Sequence, residues 1–197
     1  MMTNIDKISA IIFDFDGTLV DTMPIHFRAY REILADFGYQ LTKEHFESVI
    51  GGKASESIPK MVGQPLSKEE IERIHRCKKE RVQTFFEREN IVCLKTSLLL
   101  PVFFGRLPLA LASAGSREGI EVLLKRLGWT KYFDAVVTGE DVKCGKPASD
   151  AFDLAASLMG IVRWECLVFE DTDPGIQAAA NASMSYIDVR KPLGTAI

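Results

Sequence analysis

Apolar residues follow two different patterns along this chain. Near its beginning, and again throughout its second half, they form short continuous runs rich in Ile, Val, Leu, Ala and Phe. Runs of this kind between polar segments are typical of strands that are buried on both faces, as in a parallel sheet. The predicted strands are residues 10–13, 109–112, 135–138, 166–169 and 186–189.

The segment between the first and second predicted strands has the period of a helix instead. Pro24 suits a first helical turn, Tyr30, Ile33 and Leu34 recur at helical spacing, and Gly38 ends the helix. Everything from here to about residue 90 is predicted to be helical.

Two more helices are marked by their ends. Ser67 and Glu70 form a capping box, which opens a long charged helix that continues to about Glu89. In the second half, a helix over 116–127 is predicted to stop at Gly128.

Strands that alternate with helices imply a parallel sheet with helices on both faces. The predicted fold class is therefore α/β, with a Rossmann-like core and an inserted helical cap domain. The core comprises residues 1–22 and 91–197, and the cap residues 23–90, with hinges at Thr22–Pro24 and 90–96. A helical module hinged in this way could close over a site at the sheet edge and expel water.

The composition is that of an ordinary globular protein. Of the 197 residues, 47% are hydrophobic and 26% are charged, and the formal net charge is −3. Without a basic excess there is no field to attract nucleic acid or an anionic membrane surface, so we expect neither partner. The apolar stretch 98–104 is too short to span a bilayer.

Cysteine usage and the N-terminal residues bear on the compartment. The four cysteines are scattered without a Cys-x-x-Cys pair, so we expect free thiols in a reducing environment. The first residues lack the basic and apolar regions of a signal peptide. We predict a cytoplasmic protein and expect it to be a monomer.

The first predicted strand ends in two carboxylates, Asp14 and Asp16. Ligands of open α/β sheets bind beyond the carboxyl ends of the strands. Two carboxylates this close repel each other unless a cation or a shared proton relieves them. Because the donors are oxygens rather than Cys or His, the predicted ion is Mg²⁺.

The next strand leads into a loop of small residues. Ser113 is followed by Ala114, Gly115 and Ser116 at the start of a predicted helix. A hydroxyl and backbone N–H groups placed there could cradle phosphate oxygens. Ser116 could instead cap the helix, so we expect the two serines to divide these roles.

Two further strand ends carry charged residues. Lys146 precedes Pro147, which could start a helix, and its ammonium could reach a phosphate and steady Asp14. Glu170 and Asp171 end the strand 166–169. Asp171 is predicted to bind the metal directly, with Glu170 either binding it as well or supporting a residue that does.

Magnesium uses few protein carboxylates and keeps waters and a substrate oxygen. Asp14, the backbone carbonyl of Asp16, and Asp171 would therefore suffice. Asp173 is predicted to be the N-cap of the following helix, with Pro174 at the first helical position, although a role at the metal stays open.

Residues 14–22, Asp-Phe-Asp-Gly-Thr-Leu-Val-Asp-Thr, resemble the first motif of the haloacid dehalogenase-like phosphotransferases. Ser113, Lys146 and the pair Glu170-Asp171 match the family's second, third and fourth motifs in order. The resemblance covers nearly the whole chain, and it implies a cap of the type placed after the first motif.

The resemblance also implies roles for individual residues. Asp14 would be the nucleophile that forms an aspartyl-phosphate, and Asp16 the general acid and base. Ser113 and Lys146 complete the catalytic set. The implied phosphate-binding residues are Gly17, Ser113, Ala114, Gly115 and Lys146, and the implied metal-binding residues are Asp14, Asp16, Glu170 and Asp171.

Within the family, the chain most resembles the β-phosphoglucomutase-like branch, which includes bacterial phosphatases of the fructose-1-phosphate type. A cap histidine of that branch reaches the acid/base region, and His26 stands in the matching segment, although it could equally be a bystander on its helix. In residues 51–56, Lys53 alone is cationic where a mutase carries Lys and Arg. One cation fits a monophosphate better than a bisphosphate.

Two departures from the family pattern lie outside the charged residues. Ser149 replaces a proline in the segment after Lys146, and Ser183 replaces a glycine near the end of the chain. The second departure is expected to strain its turn, because glycine adopts left-handed backbone angles more easily than serine.

We therefore predict a Mg²⁺-dependent phosphatase of a small phosphomonoester, with a sugar phosphate such as fructose 1-phosphate as substrate. The main alternative is an isomerase of the β-phosphoglucomutase type. A phosphoglycolate phosphatase and a non-catalytic binder of phosphate ligands are less favoured. The set Asp14, Asp16, Lys146 and Asp171 argues against a protein without turnover.

Overall fold

The computed structural model of the protein describes residues 7–49 and 54–191. Its strands are β1 (Ala10–Phe13), β2 (Val20–Asp21), β3 (Val92–Cys93), β4 (Leu109–Ala112), β5 (Ala135–Val137), β6 (Cys166–Glu170) and β7 (Ser185–Asp188). Its α-helices are α1 (Met23–Asp36), α2 (Lys43–Val49), α3 (Ala54–Val62), α4 (Lys68–Arg88), α5 (Leu99–Phe103), α6 (Arg117–Arg126), α7 (Asp150–Met159) and α8 (Asp173–Asn181).

A parallel sheet runs through the described chain in the strand order β5-β4-β1-β6-β7. The first strand lies at its centre, because β1 pairs with β4 on one side and with β6 on the other. The five predicted strands agree with these to within one residue at each end. The predicted α/β class with a Rossmann-like sheet is confirmed.

Small side chains let helices pack closely on one face of the sheet. Ala10 and Ile12 of β1 share a buried cluster with Ala155 and Ala156 of α7 and Ala179 of α8. Alanine at so many positions keeps the layer between sheet and helices thin, so the backbones can approach at the density of a protein interior.

The opposite face of β1 is buried as well. Ile11 and Phe13 alternate with the residues of the first face and are 1% and 0% exposed. Phe13 stacks on Phe169 of the neighbouring strand, with ring centroids 5.0 Å apart. Burial on both faces explains why this strand is a continuous apolar run rather than an alternating one.

The chain divides into two compact units. One combines Met1–Asp21 with Ile91–Ile197 and contains the parallel sheet, and the other is Thr22–Asn90 and contains α1 to α4. Within the first unit, β2 pairs antiparallel with β3, so Val20 faces Cys93. The two chain segments that lead into and out of the helical unit are therefore hydrogen-bonded to each other.

The helical unit has an apolar core of its own. Tyr30 and Leu34 of α1, Phe46 of α2, Ile58 of α3 and Ile74 of α4 are buried together. Because each helix contributes to this cluster, the unit has the internal packing expected of a domain.

The ends of the long helix α4 are fixed by specific contacts. Ser67 accepts a hydrogen bond from the backbone N–H of Glu70, and the Glu70 carboxylate accepts one from the backbone N–H of Ser67. This is the predicted capping box. At the other end, Glu89 pairs with Arg28 of α1.

The predicted start of α7 is wrong. The helix begins at Asp150 rather than Pro147, and Pro147 lies in the preceding loop after a cis peptide bond from Lys146. Asn181 donates a hydrogen bond to the carbonyl oxygen of Pro147 at 2.9 Å. The loop is thus held by tertiary contacts that the local sequence does not reveal.

The predicted cap of α8 is also wrong. Thr172 is the N-cap, because its hydroxyl accepts a hydrogen bond from the backbone N–H of Gly175 and its backbone is extended. Asp173 is instead the first helical residue, with Pro174 after it, and its carboxylate accepts a hydrogen bond from Arg190 at 2.7 Å. Both residues are good caps, so local propensity does not separate them.

None of the helices in the described ranges is long and apolar enough to cross a membrane. The four cysteines carry free thiols, of which Cys166 is buried and Cys93 and Cys144 are exposed.

Ser183 occupies the strained turn that its sequence context predicts. Its φ is +58°, a left-handed value that L-residues with a side chain adopt at a cost of about 1–2 kcal/mol. The residue follows α8 and immediately precedes the turn into β7, where Met184 is buried.

We predict that Ser183→Gly stabilises the protein by about 1 kcal/mol, because glycine adopts this φ without strain. The measurement is the midpoint of thermal or urea unfolding. The matched control is Ser157→Gly, an exposed position within α7, where the same substitution should destabilise by about 0.5 kcal/mol. Equal destabilisation by both variants would contradict the interpretation of Ser183.

Candidate active site

Three neighbouring strands bring their carboxyl ends to one place. Phe13 of β1 is in register with Phe169 of β6 and with Leu111 of β4. The residues that follow these strands, among them Asp14 and Ser113, therefore lie side by side. The backbone N–H of Asp14 donates to the carbonyl oxygen of Phe169 at 3.0 Å, which continues the ladder past the end of β1.

The ammonium of Lys146 lies between two buried carboxylates. Its Nζ is 2.5 Å from Oδ1 of Asp14 and 2.5 Å from Oε2 of Glu170. Asp14 is 6% exposed and Glu170 is fully buried. Such a pair of carboxylates requires a cation nearby, because an unpaired buried charge is strongly destabilising.

Burial and charge act in opposite directions on these groups. Burial raises the pKa of Asp14 well above its usual value, and the ammonium of Lys146 opposes this rise. For Lys146, burial favours the neutral amine, but Asp14 and Glu170 outweigh it and hold the pKa above its usual value. Lys146 is therefore a permanent cation at neutral pH.

Glu170 has hydrogen-bond donors on both carboxylate oxygens. Oε2 accepts from Lys146, and Oε1 accepts from the backbone N–H groups of Asp171 and Thr172 and from the Thr172 hydroxyl. Gly175, in the first turn of α8, lies so close that a Cβ there would overlap the Glu170 side chain. The carboxylate is held from several sides.

Asp171 is held by the loop that follows β1. The hydroxyl of Thr18, itself fully buried, donates to Oδ1 of Asp171 at 2.9 Å. Gly17 has a φ of +90°, and a Cβ at this position would overlap the Asp171 carboxylate. Burial raises the pKa of Asp171 to about 6, although the Thr18 hydrogen bond lowers it.

Ser113 connects Asp16 to the small-residue loop. Its hydroxyl donates to Oδ2 of Asp16 at 3.2 Å and accepts from the backbone N–H of Gly115 at 2.9 Å. Ser116 is the N-cap of α6 and accepts from the N–H of Gly119. The two serines thus have different hydrogen-bond partners, in line with the expected division of roles.

The small-residue loop is braced from behind by the turn after β5. The backbone N–H of Gly139 donates to the carbonyl oxygen of Gly115 at 3.1 Å. A Cβ on Gly139 would lie 2.6 Å from the carbonyl oxygen of Ala114. Asp141 closes this turn by accepting from the N–H and the hydroxyl of Thr138, at 2.7 and 2.8 Å, and from Arg117 at 2.5 Å.

Within the described ranges, Asp14, Glu170 and Asp171 can offer carboxylate oxygens that all lie within 4.8 Å of one another. An all-oxygen donor set fits a hard cation such as Mg²⁺. Burial raises the pKa of Asp14 and of Asp171, and a cation bound there would favour their ionised forms.

Two of the predicted site residues, His26 and Lys53, fall in the helical unit Thr22–Asn90. His26 belongs to α1 of the helical unit, where its ring packs edge-on against Phe86 with centroids 5.9 Å apart. Lys53 lies outside the described residues. Asp16 accepts a hydrogen bond from Ser113, and Ala114 and Gly115 form the loop that follows Ser113.

Sequence reasoning missed four residues that shape the cluster: Thr18, Gly139, Thr172 and Gly175. Each acts on a partner that is remote in sequence or hidden by burial. A usable signal existed for Thr172, because it directly follows Glu170-Asp171 and its hydroxyl can reach back to the carboxylate two residues before it. Thr18 had no such signal, because its partner Asp171 is 153 residues away.

Comparison with known proteins identifies the family of this protein. A model described as haloacid dehalogenase-like hydrolase matches residues 11–189. The chain belongs to the haloacid dehalogenase-like hydrolase family. Fructose-1-phosphate phosphatase YqaB of Escherichia coli is 35% identical over 185 residues, which cover 94% of this chain and 98% of that protein. The predicted family is confirmed. The prediction that the protein is an enzyme, a phosphatase, is confirmed as well.

Two solved structures of the family extend the comparison. CbbY from Rhodobacter sphaeroides, in complex with phosphate, is 27% identical with a TM-score of 0.80, over 91% of this chain and 84% of that one. β-Phosphoglucomutase from Clostridium difficile is 26% identical with a TM-score of 0.79, over 91% and 83%. The branch of the family predicted from the motifs is confirmed.

We predict that Gly17→Ala greatly reduces turnover and lowers the unfolding midpoint. The new methyl group would displace the Asp171 carboxylate, and an alanine at this positive φ would be strained. Gly38→Ala is the matched control. Gly38 also has a positive φ, of +83°, but a Cβ there meets nothing within 4 Å. Gly38→Ala should lower the free energy of unfolding by only about 1 kcal/mol, the cost of the strained φ, and should leave turnover unchanged. Equal effects of the two substitutions would contradict the close contact.

A second prediction concerns acid stability. Hydrogen bonding from Arg117 is the main cause that lowers the pKa of Asp141 to about 2. A carboxyl with a lowered pKa in the folded state stabilises the fold above its unfolded pKa of about 4, and this contribution is lost as the pH falls to about 2. The difference in thermal midpoint between the wild type and Asp141→Asn should therefore be largest near pH 7 and shrink below about pH 5.

Arg117→Gln serves as the companion variant, since it removes that main cause and should reduce the same pH-dependent difference. A midpoint difference for Asp141→Asn that stayed constant between pH 7 and pH 2.5 would show that the ionised carboxylate does not contribute.

Proposed function

We propose that the protein is a Mg²⁺-dependent phosphatase that hydrolyses a small phosphomonoester, a sugar phosphate, through an aspartyl-phosphate on Asp14. The observation that carries the proposal is the position of the Asp14 carboxylate. It lies at the end of the central strand, where the Lys146 ammonium contacts its Oδ1. Asp16, two residues further along the chain, accepts a hydrogen bond from Ser113. A nucleophile, a cation and a second carboxyl are thereby assembled at one sheet edge.

Asp14 is suited to attack a phosphorus atom. Oδ1 is engaged by Lys146, so the other oxygen, Oδ2, is the candidate for bonding to phosphorus. Attack by a carboxylate divides phosphate transfer into two displacements, first to the enzyme and then to water. The short β1 strand, buried on both faces, keeps this carboxylate in one place.

Asp16 is suited to carry the proton. It would protonate the leaving sugar oxygen in the first step and accept a proton from the attacking water in the second. Asp16 is only partly buried, unlike Asp14, and Ser113 donates a hydrogen bond to its Oδ2. A carboxyl that is oriented by a hydrogen bond and partly exposed is suited to exchange a proton with a substrate or a water molecule.

The phosphate oxygens would be bound by the loop after β4 and by Lys146. The Ser113 hydroxyl, the backbone N–H groups of the Ala114–Gly115 loop and a permanent ammonium are complementary to a dianion. Gly17, whose backbone approaches the Asp171 carboxylate, lines the same cluster. These are donors that a phosphoryl group requires as its charge redistributes in transfer.

The carboxylates of Asp14 and Asp171 and the backbone carbonyl of Asp16 would hold Mg²⁺, with Glu170 at the same cluster. Such an ion would supply positive charge that favours the ionised forms of these carboxylates and offsets the negative charge of the phosphate. Asp171 would be kept in position for this by Thr18, and Glu170 by its donors on both sides.

Substrate choice is proposed to lie in the helical unit, acting as a cap. His26 and Lys53 belong to that unit, and a handful of cap side chains would decide between phosphate esters. The similarity to a fructose-1-phosphate phosphatase over nearly the full length of both proteins supports a sugar phosphate as substrate. The protein would work as a monomer in the cytoplasm.

An isomerase is the second candidate, favoured by the similarity to a β-phosphoglucomutase structure. An isomerase of that kind must hold a bisphosphate at both ends and turn it round. Lys53 is the single cation of residues 51–56, which supports hydrolysis of a monophosphate instead.

We predict that Mg²⁺-dependent phosphate release occurs from at least one sugar phosphate, and that Asp14→Asn lowers kcat by about 10³ or more, as expected when a nucleophile is removed. The measurement is phosphate release over a panel of sugar phosphates, phosphoglycolate and nucleotides, with Mg²⁺ and with a chelator.

Asp173→Asn is the matched control, because Asp173 lies close to the cluster in sequence but its carboxylate is largely exposed and pairs with Arg190. This variant should keep kcat within about twofold, as surface substitutions usually do. Full activity of Asp14→Asn would falsify the mechanism.

The same panel separates the two candidate functions. Glucose 1-phosphate, supplied with a catalytic amount of a hexose bisphosphate, should lose phosphate or remain unchanged if the protein is a phosphatase. Its conversion into glucose 6-phosphate without net phosphate release would identify an isomerase.

A further inference from the structure

Thr172 follows the Glu170–Asp171 pair directly, and its hydroxyl contacts both the cluster and a helix. Oγ1 donates to Oε1 of Glu170 at 2.8 Å and accepts from the backbone N–H of Gly175 at 3.1 Å. A hydroxyl has one hydrogen to donate. Because the helix N–H occupies a lone pair of Oγ1, the hydrogen is left for Glu170.

The two oxygens of Glu170 are thereby given different partners. Oε1 is turned toward the start of α8 by the Thr172 hydroxyl and by the backbone N–H groups of Thr172 and Asp171, at 2.9 and 3.1 Å. Oε2 is left for Lys146, at 2.5 Å. A carboxylate on a flexible glutamate side chain would otherwise exchange these oxygens or adopt another rotamer.

Gly175 removes the remaining freedom of that side chain. A Cβ at Gly175 would overlap the Cγ and carboxyl carbon of Glu170, so the first turn of α8 packs directly on the glutamate. The helix therefore supplies a wall and, through Thr172, a hydrogen bond. Both fix the position of the Glu170 side chain, and Glu170 in turn pairs with the Lys146 ammonium.

We propose that Thr172 is a positioning residue for Lys146: it orients Glu170 so that Oε2 holds the ammonium against Asp14. Its importance for turnover rests on the proposed function, in which Asp14 attacks and Lys146 binds phosphate. The effect of Thr172 on the position of Lys146 does not rest on the proposed function, because all the contacts that carry this effect are between groups of the protein itself.

The experiment compares Thr172→Val, which removes the hydroxyl from a side chain of similar shape, with Thr172→Ser, which retains it. Lys146 is labelled with a trace of an acylating reagent in the enzyme free of metal and substrate. Cleavage with trypsin releases Cys144–Arg163, which contains Lys146 as its single lysine, so the labelled fraction of this peptide gives the rate.

We expect Thr172→Val to raise the labelling rate of Lys146 by about tenfold, the size expected from losing a hydrogen bond to a charged group. Thr172→Ser should restore a rate within about twofold of the wild type, since its hydroxyl makes both bonds. Turnover by Thr172→Val should fall by about tenfold as well, because the ammonium no longer stays at Asp14.

Ser67→Ala is the control for helix capping alone. Ser67 caps α4 in the helical unit, and its loss should lower the unfolding midpoint without changing the labelling of Lys146. Thr172→Ala also lacks the hydroxyl and replaces Thr172→Val in the comparison if the valine variant does not fold.

Unchanged labelling of Lys146 in Thr172→Val, together with a lower unfolding midpoint, would overturn the proposal and leave Thr172 as a helix cap. Faster labelling in a protein whose wild type releases phosphate from no ester would instead leave the proposal intact and refute the proposed function.

Discussion

The ammonium of Lys146, placed between two buried carboxylates, is the interaction on which the cluster depends. Asp14 follows β1, Glu170 ends β6 and Lys146 lies in the loop before α7, so three distant parts of the chain meet at one charge. Removing one partner of a buried ion pair typically costs about 3–5 kcal/mol, because a charge is left unpaired away from water. The strand ends are therefore ordered by electrostatics as well as by the sheet.

Separate donors then give each carboxylate its own environment. Ser113 holds Asp16, Thr18 holds Asp171, and Thr172 holds Glu170. Four carboxylates that share one sheet edge would repel one another if they were free to move. Fixed in this way, they have the separate environments that the proposed roles of covalent attack, proton transfer, cation binding and support of the lysine require. Burial raises the pKa of Asp14 and Asp171, so a cation bound beside them would favour their ionised forms.

Much of this could be predicted from the sequence, because strand ends and helix caps have local signals. The apolar runs located the strands, the Ser67 capping box located α4, and the serine at position 183 indicated strain. The N-cap of α8 was mispredicted, because Thr172 and Asp173 have similar local propensity and a contact with the buried Glu170 separates them. The requirement for glycine at Gly17 likewise depends on Asp171, far away in the chain, so a sequence pattern shows the glycine but not its cause.

The most direct test of this account is the identity of the carboxylate that becomes phosphorylated. Enzyme mixed with its substrate and Mg²⁺ is quenched in acid during turnover and treated with borohydride, which reduces an acyl phosphate to an alcohol. Peptide mass spectrometry should then find homoserine at position 14 and unmodified aspartate at positions 16 and 171. Homoserine at either of these two positions, or its absence from position 14 while an acid-stable burst of bound phosphate is present, would contradict the assignment of Asp14.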